Sequence, residues 1–194
     1  MPPPNLKILG IDPGESTGWA YLVVPRNSVY DDEPSDIIEW DQGQVYGPEE
    51  DQTKEICRMV RQFQGLDFGV GPAVVVEDFD IAAKNPSTDP VLLTPVRLAA
   101  MLRYARYRGE MGPDSLVMLQ GRTMAMSTAT DERLKAWRLY VRGEEHARDA
   151  MRHAIVALRR AKQKEHVREA MWADPNRPNA GRVVREIVSD FMQG

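Results

Sequence analysis

Cysteine is almost absent from this chain: Cys57 is the single one among 194 residues. A lone thiol excludes a disulfide framework and cannot build a zinc or iron–sulfur site on Cys ligands, so a reducing compartment is expected. Long apolar runs are missing too, and none approaches the roughly 20 residues that span a bilayer. The opening Met1-Pro2-Pro3-Pro4-Asn5 lacks the basic and apolar regions of a secretory signal. No internal repeat or low-complexity segment is visible. With 42% hydrophobic and 28% charged residues the chain is too apolar for disorder. A soluble cytoplasmic protein with one α/β domain is the expectation.

The net charge of -4 conceals an asymmetry. Residues 1–96 carry 6 Lys/Arg against 17 Asp/Glu, whereas residues 97–194 carry 19 against 12, most of those bases being Arg. Arg suits bidentate phosphate contacts. An acidic half joined to an Arg-rich half fits a metal-dependent enzyme acting on nucleic acid, with carboxylates for cations and Arg for the polyanion. Ordinary decoration of helices by a good helix former accounts for the Arg equally well.

Leu6 to Ile11 is a short apolar run that ends at Asp12-Pro13-Gly14 and predicts a buried strand followed by a turn. Ser16 to Val24 is rich in β formers and predicts its antiparallel hairpin partner. Residues 25–36 read as a surface loop, and Ile37 to Tyr46 as a third, half-exposed strand. Ile56, Val60 and Phe63 place a helix over Glu49–Gln64. Ala73-Val74-Val75-Val76 marks a buried central strand. Thr94-Pro95 has the form of an N-cap followed by a first-turn proline, predicting a helix through Arg108. Ser115 to Leu119 is a fifth strand. Helices are expected over 131–141, 144–164 and 180–192, with Pro175 and Pro178 before the last. Two hairpin-linked strands before the first crossover predict a mixed sheet.

Three acids stand where this order carries them to one edge of the sheet. Asp12 ends the first strand, and Glu77 follows the buried Val74-Val75-Val76. A carboxylate there is costly unless it is paired or bound to a cation. Asp149 lies early in a long helix whose core stripe is Ala147, Ala150, Met151, Ala154, Leu158 and Ala161. His146, Asp149 and His153 occupy the shoulder of that stripe, with Arg148, Arg152 and Arg159 pointing away. Taken singly, Asp12 also reads as a turn residue, Glu77 as a salt-bridged strand end, and Asp149 as a helix acid paired with Arg152 or His153. Taken together, three carboxylates and a His on one edge would repel without a cation. An oxygen-rich set suits Mg²⁺ or Mn²⁺, and two such ions about 3.5–4 Å apart would clamp an in-line phosphodiester hydrolysis.

Ile8-Leu9-Gly10-Ile11-Asp12-Pro13-Gly14, followed by Ser16-Thr17-Gly18-Trp19-Ala20, resembles the opening of RuvC-type Holliday junction resolvases. Val74-Val75-Val76-Glu77 is similar to their second acidic strand, Ala83-Lys84-Asn85 to a segment after it, and His146-Ala147-Arg148-Asp149-Ala150 to their closing helix. Small phage-encoded relatives are closest in character, which implies a host cytoplasm. The resemblance covers about residues 6–163. It implies an α/β, ribonuclease-H-like fold with a five-stranded mixed sheet flanked by helices, over residues 1–164. Residues 165–194, without a counterpart, are expected to form a helical extension packed on that domain. It further implies a homodimer, two Mg²⁺ per site with Mn²⁺ able to substitute, and paired nicks across a four-way DNA junction. Asp12, Glu77, His146 and Asp149 would be the catalytic and metal-binding residues, with His146 where the family has Asp or His. Lys84, Arg122, Arg133, Lys135, Arg138, Arg148 and Arg152 are the candidate DNA contacts. Leu98, Met101, Leu102 and Ala105, on the helix that makes the family's dimer contact, are the candidate dimer face, simple docking on the sheet being the alternative.

Three other readings compete. Asp12-Pro13-Gly14-Glu15-Ser16-Thr17-Gly18 also passes for the phosphate turn of actin-like and sugar-kinase-like enzymes. That architecture needs two domains, and no Gly-rich nucleotide loop follows, so no nucleotide cofactor is expected. A non-catalytic protein binding branched DNA would keep the Arg surface without needing all three acids. A related nuclease acting on flaps or RNA–DNA hybrids would use the same ligands, because metal ligands set chemistry and not substrate shape.

Overall fold

The structure, a computed structural model, describes residues 5–25, 37–65, 72–79, 90–112 and 115–164. The expected loop over 26–36, the Lys84-Asn85 segment and the extension 165–194, with its helix over 180–192, lie outside the described residues.

Five strands form one mixed sheet in the order β3-β2-β1-β4-β5. They are β1 Leu6–Asp12, β2 Thr17–Val24, β3 Glu39–Val45, β4 Ala73–Asp78 and β5 Leu116–Gly121. β1 is antiparallel to β2, and β2 to β3, while β4 runs parallel to both β1 and β5. The helices are α1 Glu49–Gly65, α2 Pro90–Tyr107, α3 Arg122–Thr128, α4 Asp131–Ala136 and α5 Glu145–Gln163. Among the described residues no helix is long and apolar enough to cross a membrane.

The apolar runs of β1 and β4 follow from burial on both faces. Leu6, Ile8, Ala73 and Val75 pack with Ala150, Met151, Ala154 and Leu158 of α5 on one face, while Leu9, Ile11, Val74 and Val76 pack with Ile56, Val60, Leu102 and Ala105 on the other. The α5 stripe expected from the sequence is buried at all six positions. Lys7, inside the β1 run, is buried and donates to the Phe63 carbonyl at 2.7 Å, which offsets part of the cost of burying its ammonium.

Two glycines decide how near α5 lies. A Cβ on Gly10 would collide with the Ala150 carbonyl, and one on Gly18 with the His146 carbonyl. Gly18 faces Asp12 across the β1–β2 ladder, so the seat that admits the start of α5 adjoins the first acid. Because the obstruction is rigid backbone, we expect Gly10→Ala to cost about 3 kcal/mol, the upper part of the overpacking range. Urea denaturation at the wild-type midpoint would show that α5 shifts without penalty.

Three elements depart from expectation. α2 begins at Pro90 and contains Pro95, so Thr94 is no cap. Its hydroxyl instead donates to Glu49 Oε1 at 3.1 Å, and Pro95 costs the second turn one backbone hydrogen bond. α4 stops at Ala136, five residues early. Arg138 is left-handed (φ 60°), and the Leu139 amide returns to the Leu134 carbonyl at 2.9 Å, which folds Leu139 into the core. α3 is a helix that the sequence does not announce. Ala125 is its buried residue, so no apolar period marks it.

The candidate dimer face is corrected as well. Leu98, Leu102 and Ala105 are buried within this chain, Leu102 and Ala105 in the cluster that covers the sheet, so α2 docks by that face onto its own domain. Met101 is half-buried beside Thr53 of α1. Outward, α2 presents Tyr104 and Tyr107, whose rings lie 6.4 Å apart.

Candidate functional site

The carboxyl ends of β1 and β4 are neighbours, and α5 begins beside them, which places Asp12, Glu77 and His146 at one edge. Asp12, Glu77 and Asp149 are 3%, 4% and 4% exposed, and carboxylates that deeply buried require partners. Asp12 Oδ2 lies 2.7 Å from His146 Nδ1. Glu77 Oε2 lies 3.0 Å from His153 Nε2, and His153 Nδ1 is 3.1 Å from Gln120 Nε2. The Gln120 amide donates to Nδ1, so the ring's Nε2–H donates to Glu77. Each of the two strand-end acids thus has its own histidine from α5.

Asp149 is held differently. Arg152 Nη1 donates to its Oδ1 and Arg122 Nη2 to its Oδ2, the latter at 3.1 Å. Arg122 Nη1 also stands 3.7 Å from Glu77 Oε1, so one guanidinium lies between the two acids. Arg152 is anchored further by Asp131 and, through Nε, by the Ala129 carbonyl at 2.9 Å.

Burial pushes Asp12 up to about 6, with the adjacent Glu77 charge adding to the rise and His146 opposing it. Burial also works to raise Glu77, but hydrogen bonds from His153 and Asp12 and the Arg122 charge outweigh it and hold Glu77 below its ordinary value. The Asp12 hydrogen bond raises His146. A consequence for stability follows from the Asp12 shift. Between pH 4 and 6 native Asp12 keeps a proton that the unfolded chain, titrating near 3.8, has released, so stability falls as pH rises through that window. The loss is at most about 3 kcal/mol. In protein without added divalent ions, Asp12→Asn should gain on wild type by that amount from pH 4 to 6. Parallel pH profiles would show that Asp12 titrates normally.

The donor set suits a hard divalent cation in kind: Asp12 and Glu77 are both buried at neighbouring strand ends, and the Glu77 charge disfavours a second charge on Asp12 unless a cation stands by. A guanidinium standing between Glu77 and Asp149 shows that this position takes positive charge. As placed, no three described His, Cys, Asp or Glu side chains stand close enough to hold one ion. The reason is visible: Asp149 is engaged by Arg122 and Arg152, and Asp12 is turned to His146.

Among the solved structures, Thermus thermophilus RuvC in complex with a Holliday junction substrate matches with a TM-score of 0.50 and 15% identity, covering 81% of this chain and 96% of that one. A further Thermus thermophilus RuvC structure matches with a TM-score of 0.51 at the same identity and coverage. The chain has the RuvC fold. It is ribonuclease-H-like, with the five-stranded mixed sheet and flanking helices that the sequence predicts. No family model matches the chain, and no curated protein does.

On this RuvC fold the candidate DNA contacts separate. Arg122, Arg133, Lys135 and Arg138 are exposed around α3 and α4. Arg148 is half-buried, 5.1 Å from the Tyr140 ring, and donates to the Val141 carbonyl at 3.2 Å. Arg152 is corrected: only 6% exposed and bound on three sides, it faces inward and has no surface to offer DNA. The segment from Ala129 to Asp131 covers that side of α5 and supplies its partners. Lys84 lies outside the described residues. His153, which the sequence offers as a shoulder residue and a partner for Asp149, bonds Glu77 instead, while Gln120 receives no role from the sequence. The signal available for His153 is its spacing, four residues after Asp149 and seven after His146 on the same helix.

Proposed function

We propose that the chain is a divalent-metal-dependent, structure-selective DNA endonuclease that resolves four-way junctions. The observation that carries this reading is the burial of Asp12 and Glu77 at neighbouring strand ends of a RuvC fold, each bonded to a histidine of α5. One of the matching RuvC structures holds a Holliday junction substrate, which favours branched DNA as the partner. Asp12 and Glu77, with His146 and Asp149 from α5, would hold Mg²⁺ or Mn²⁺. The chemistry such ions supply, two to a site, is activation of water for in-line attack and stabilisation of the leaving oxygen.

The chain's own residues supply the rest. His153 and Gln120 fix the Glu77 carboxylate, and His146 holds Asp12 and takes up or releases a proton at the open side of the site. Arg133, Lys135 and Arg138 offer cations to backbone phosphates without reading bases. Replacing all three by Ala should weaken junction binding and flatten the plot of log K against log salt by roughly one for each phosphate left without its cation. An unchanged slope would move the DNA path elsewhere. Paired nicks imply two copies acting together, with the Tyr104–Tyr107 side of α2 exposed for that contact.

The test is cleavage of a labelled four-way junction, with duplex, flap and RNA–DNA hybrid controls, with and without Mg²⁺. Symmetric, Mg²⁺-dependent nicks on the junction are expected. Preferential cutting of flaps or hybrids would replace resolvase with a different nuclease on the same site. Tight junction binding without any cleavage would make the protein a scaffold.

A further inference from the structure

Arg122 stands where the proposed function needs metal. Its guanidinium spans Glu77 and Asp149, acids delivered by two different elements, with Nη2 at 3.1 Å from Asp149 Oδ2 and Nη1 at 3.7 Å from Glu77 Oε1. It differs from its neighbour Arg152 in what holds it. Arg152 is buried and fixed to Ala129, Asp131 and Asp149, a structural clamp. Arg122 is 53% exposed, begins the short helix α3 directly after β5, and meets both acids from the solvent side. A long side chain so placed can withdraw into water by rotating about its own bonds, at little cost to the fold.

On the reading of the site given above, we infer that Arg122 is an internal counter-ion occupying one cation position, and that a divalent ion enters there only by displacing its guanidinium. The balance of charge favours this. Glu77 and Asp149 are both buried, and an unoccupied site would leave them facing one another with less positive charge nearby. A guanidinium supplies that charge to both acids at once. The same contact sets Asp149 apart from Asp12, which is why three ligands do not yet converge. Loading of metal and release of Arg122 are then two sides of one equilibrium, and each opposes the other. Once released, the guanidinium remains at the mouth of the site.

The two roles open to Arg122 make opposite predictions. A placeholder weakens metal binding, so its removal tightens it. A structural support that shapes the acids for metal strengthens binding, so its removal loosens it. Mn²⁺ serves as the probe, with free aqueous Mn²⁺ followed by electron paramagnetic resonance during titration of wild type, Arg122→Gln and Arg122→Lys. We expect Arg122→Gln to bind Mn²⁺ about tenfold more tightly, within the usual span of coupling between two sites. Arg122→Lys keeps the charge but not the fork, and should fall between the other two. Circular dichroism checks that each variant is folded, and the Lys variant carries the comparison should Gln disturb the site. Equal or weaker Mn²⁺ binding by the variants, with wild type still binding, overturns the placeholder alone. Absence of Mn²⁺ binding in all three at millimolar concentrations overturns it together with the metal-dependent reading of the site.

Discussion

Asp12→Asn should abolish Mg²⁺-dependent cleavage of a four-way junction, with a loss of about 10³-fold or more, comparable to removing a central electrostatic element from an active site. The change is nearly isosteric, so the contacts to His146 and to Glu77 keep partners of similar shape and the fold is retained. Charge is what disappears. Asp12 stands at the acid edge within the electrostatic reach of Glu77 and bonded to His146, so its loss removes a carboxylate that the strand wall and the helix wall both face. Junction affinity should stay within a few-fold of wild type, because the exposed bases of α3 and α4 are untouched. Single-turnover cleavage and a gel-shift titration on the same labelled junction separate the two effects. Retained cleavage would remove Asp12 from the chemistry. Abolished cleavage together with abolished binding would make it a structural residue.

Arg152→Met should destabilise the protein by about 3 kcal/mol, as expected when one partner leaves a buried ion pair. Met matches the apolar stem but offers nothing to the Ala129 carbonyl, to Asp131 or to Asp149. The Ala129 carbonyl and Asp149 are then left deep in the structure with a donor missing. Asp131 is partly exposed and recovers water, and Asp149 keeps Arg122, which holds the cost near the lower end of the range. The double variant Arg152→Met, Asp149→Asn should recover part of the loss, because the buried position left without Arg152 then carries a neutral amide. Urea denaturation of both proteins measures this. Wild-type stability combined with weakened junction binding would return Arg152 to the DNA surface.

The strands and the long helix are legible because burial on two faces writes itself as an unbroken apolar run and burial on one stripe as a period. Val74 to Val76 and the Ala147–Ala161 stripe are such cases. Asp12 and Glu77 stand out for a related reason, as acids set directly against those runs. The Asp149–Arg152 pair is legible from its spacing on one helix, and the structure contains it, but the burial of Arg152 is not, because Ala129 and Asp131 reach it from a segment that follows the aperiodic α3. No local pattern announces that cover. His153 looks like a shoulder residue from the helix alone; only the neighbouring β4 and β5, which bring Glu77 and Gln120 beneath it, make it a buried support. The α2 apolar residues show the converse limit. Their spacing states that one face is covered but not by what, and here the covering surface is the chain's own sheet.

Gly10 and Gly18 act as a gauge between the two walls of the site. The strand wall carries Asp12 and Glu77, the helix wall carries His146 and Asp149, and bare backbone against backbone sets the gap between them. On the proposed reading, a side chain at either glycine would push the two pairs of candidate ligands apart together. The spacing of the site's two walls then resides in two positions that bear no side chain, and would change without any change in the candidate ligands themselves.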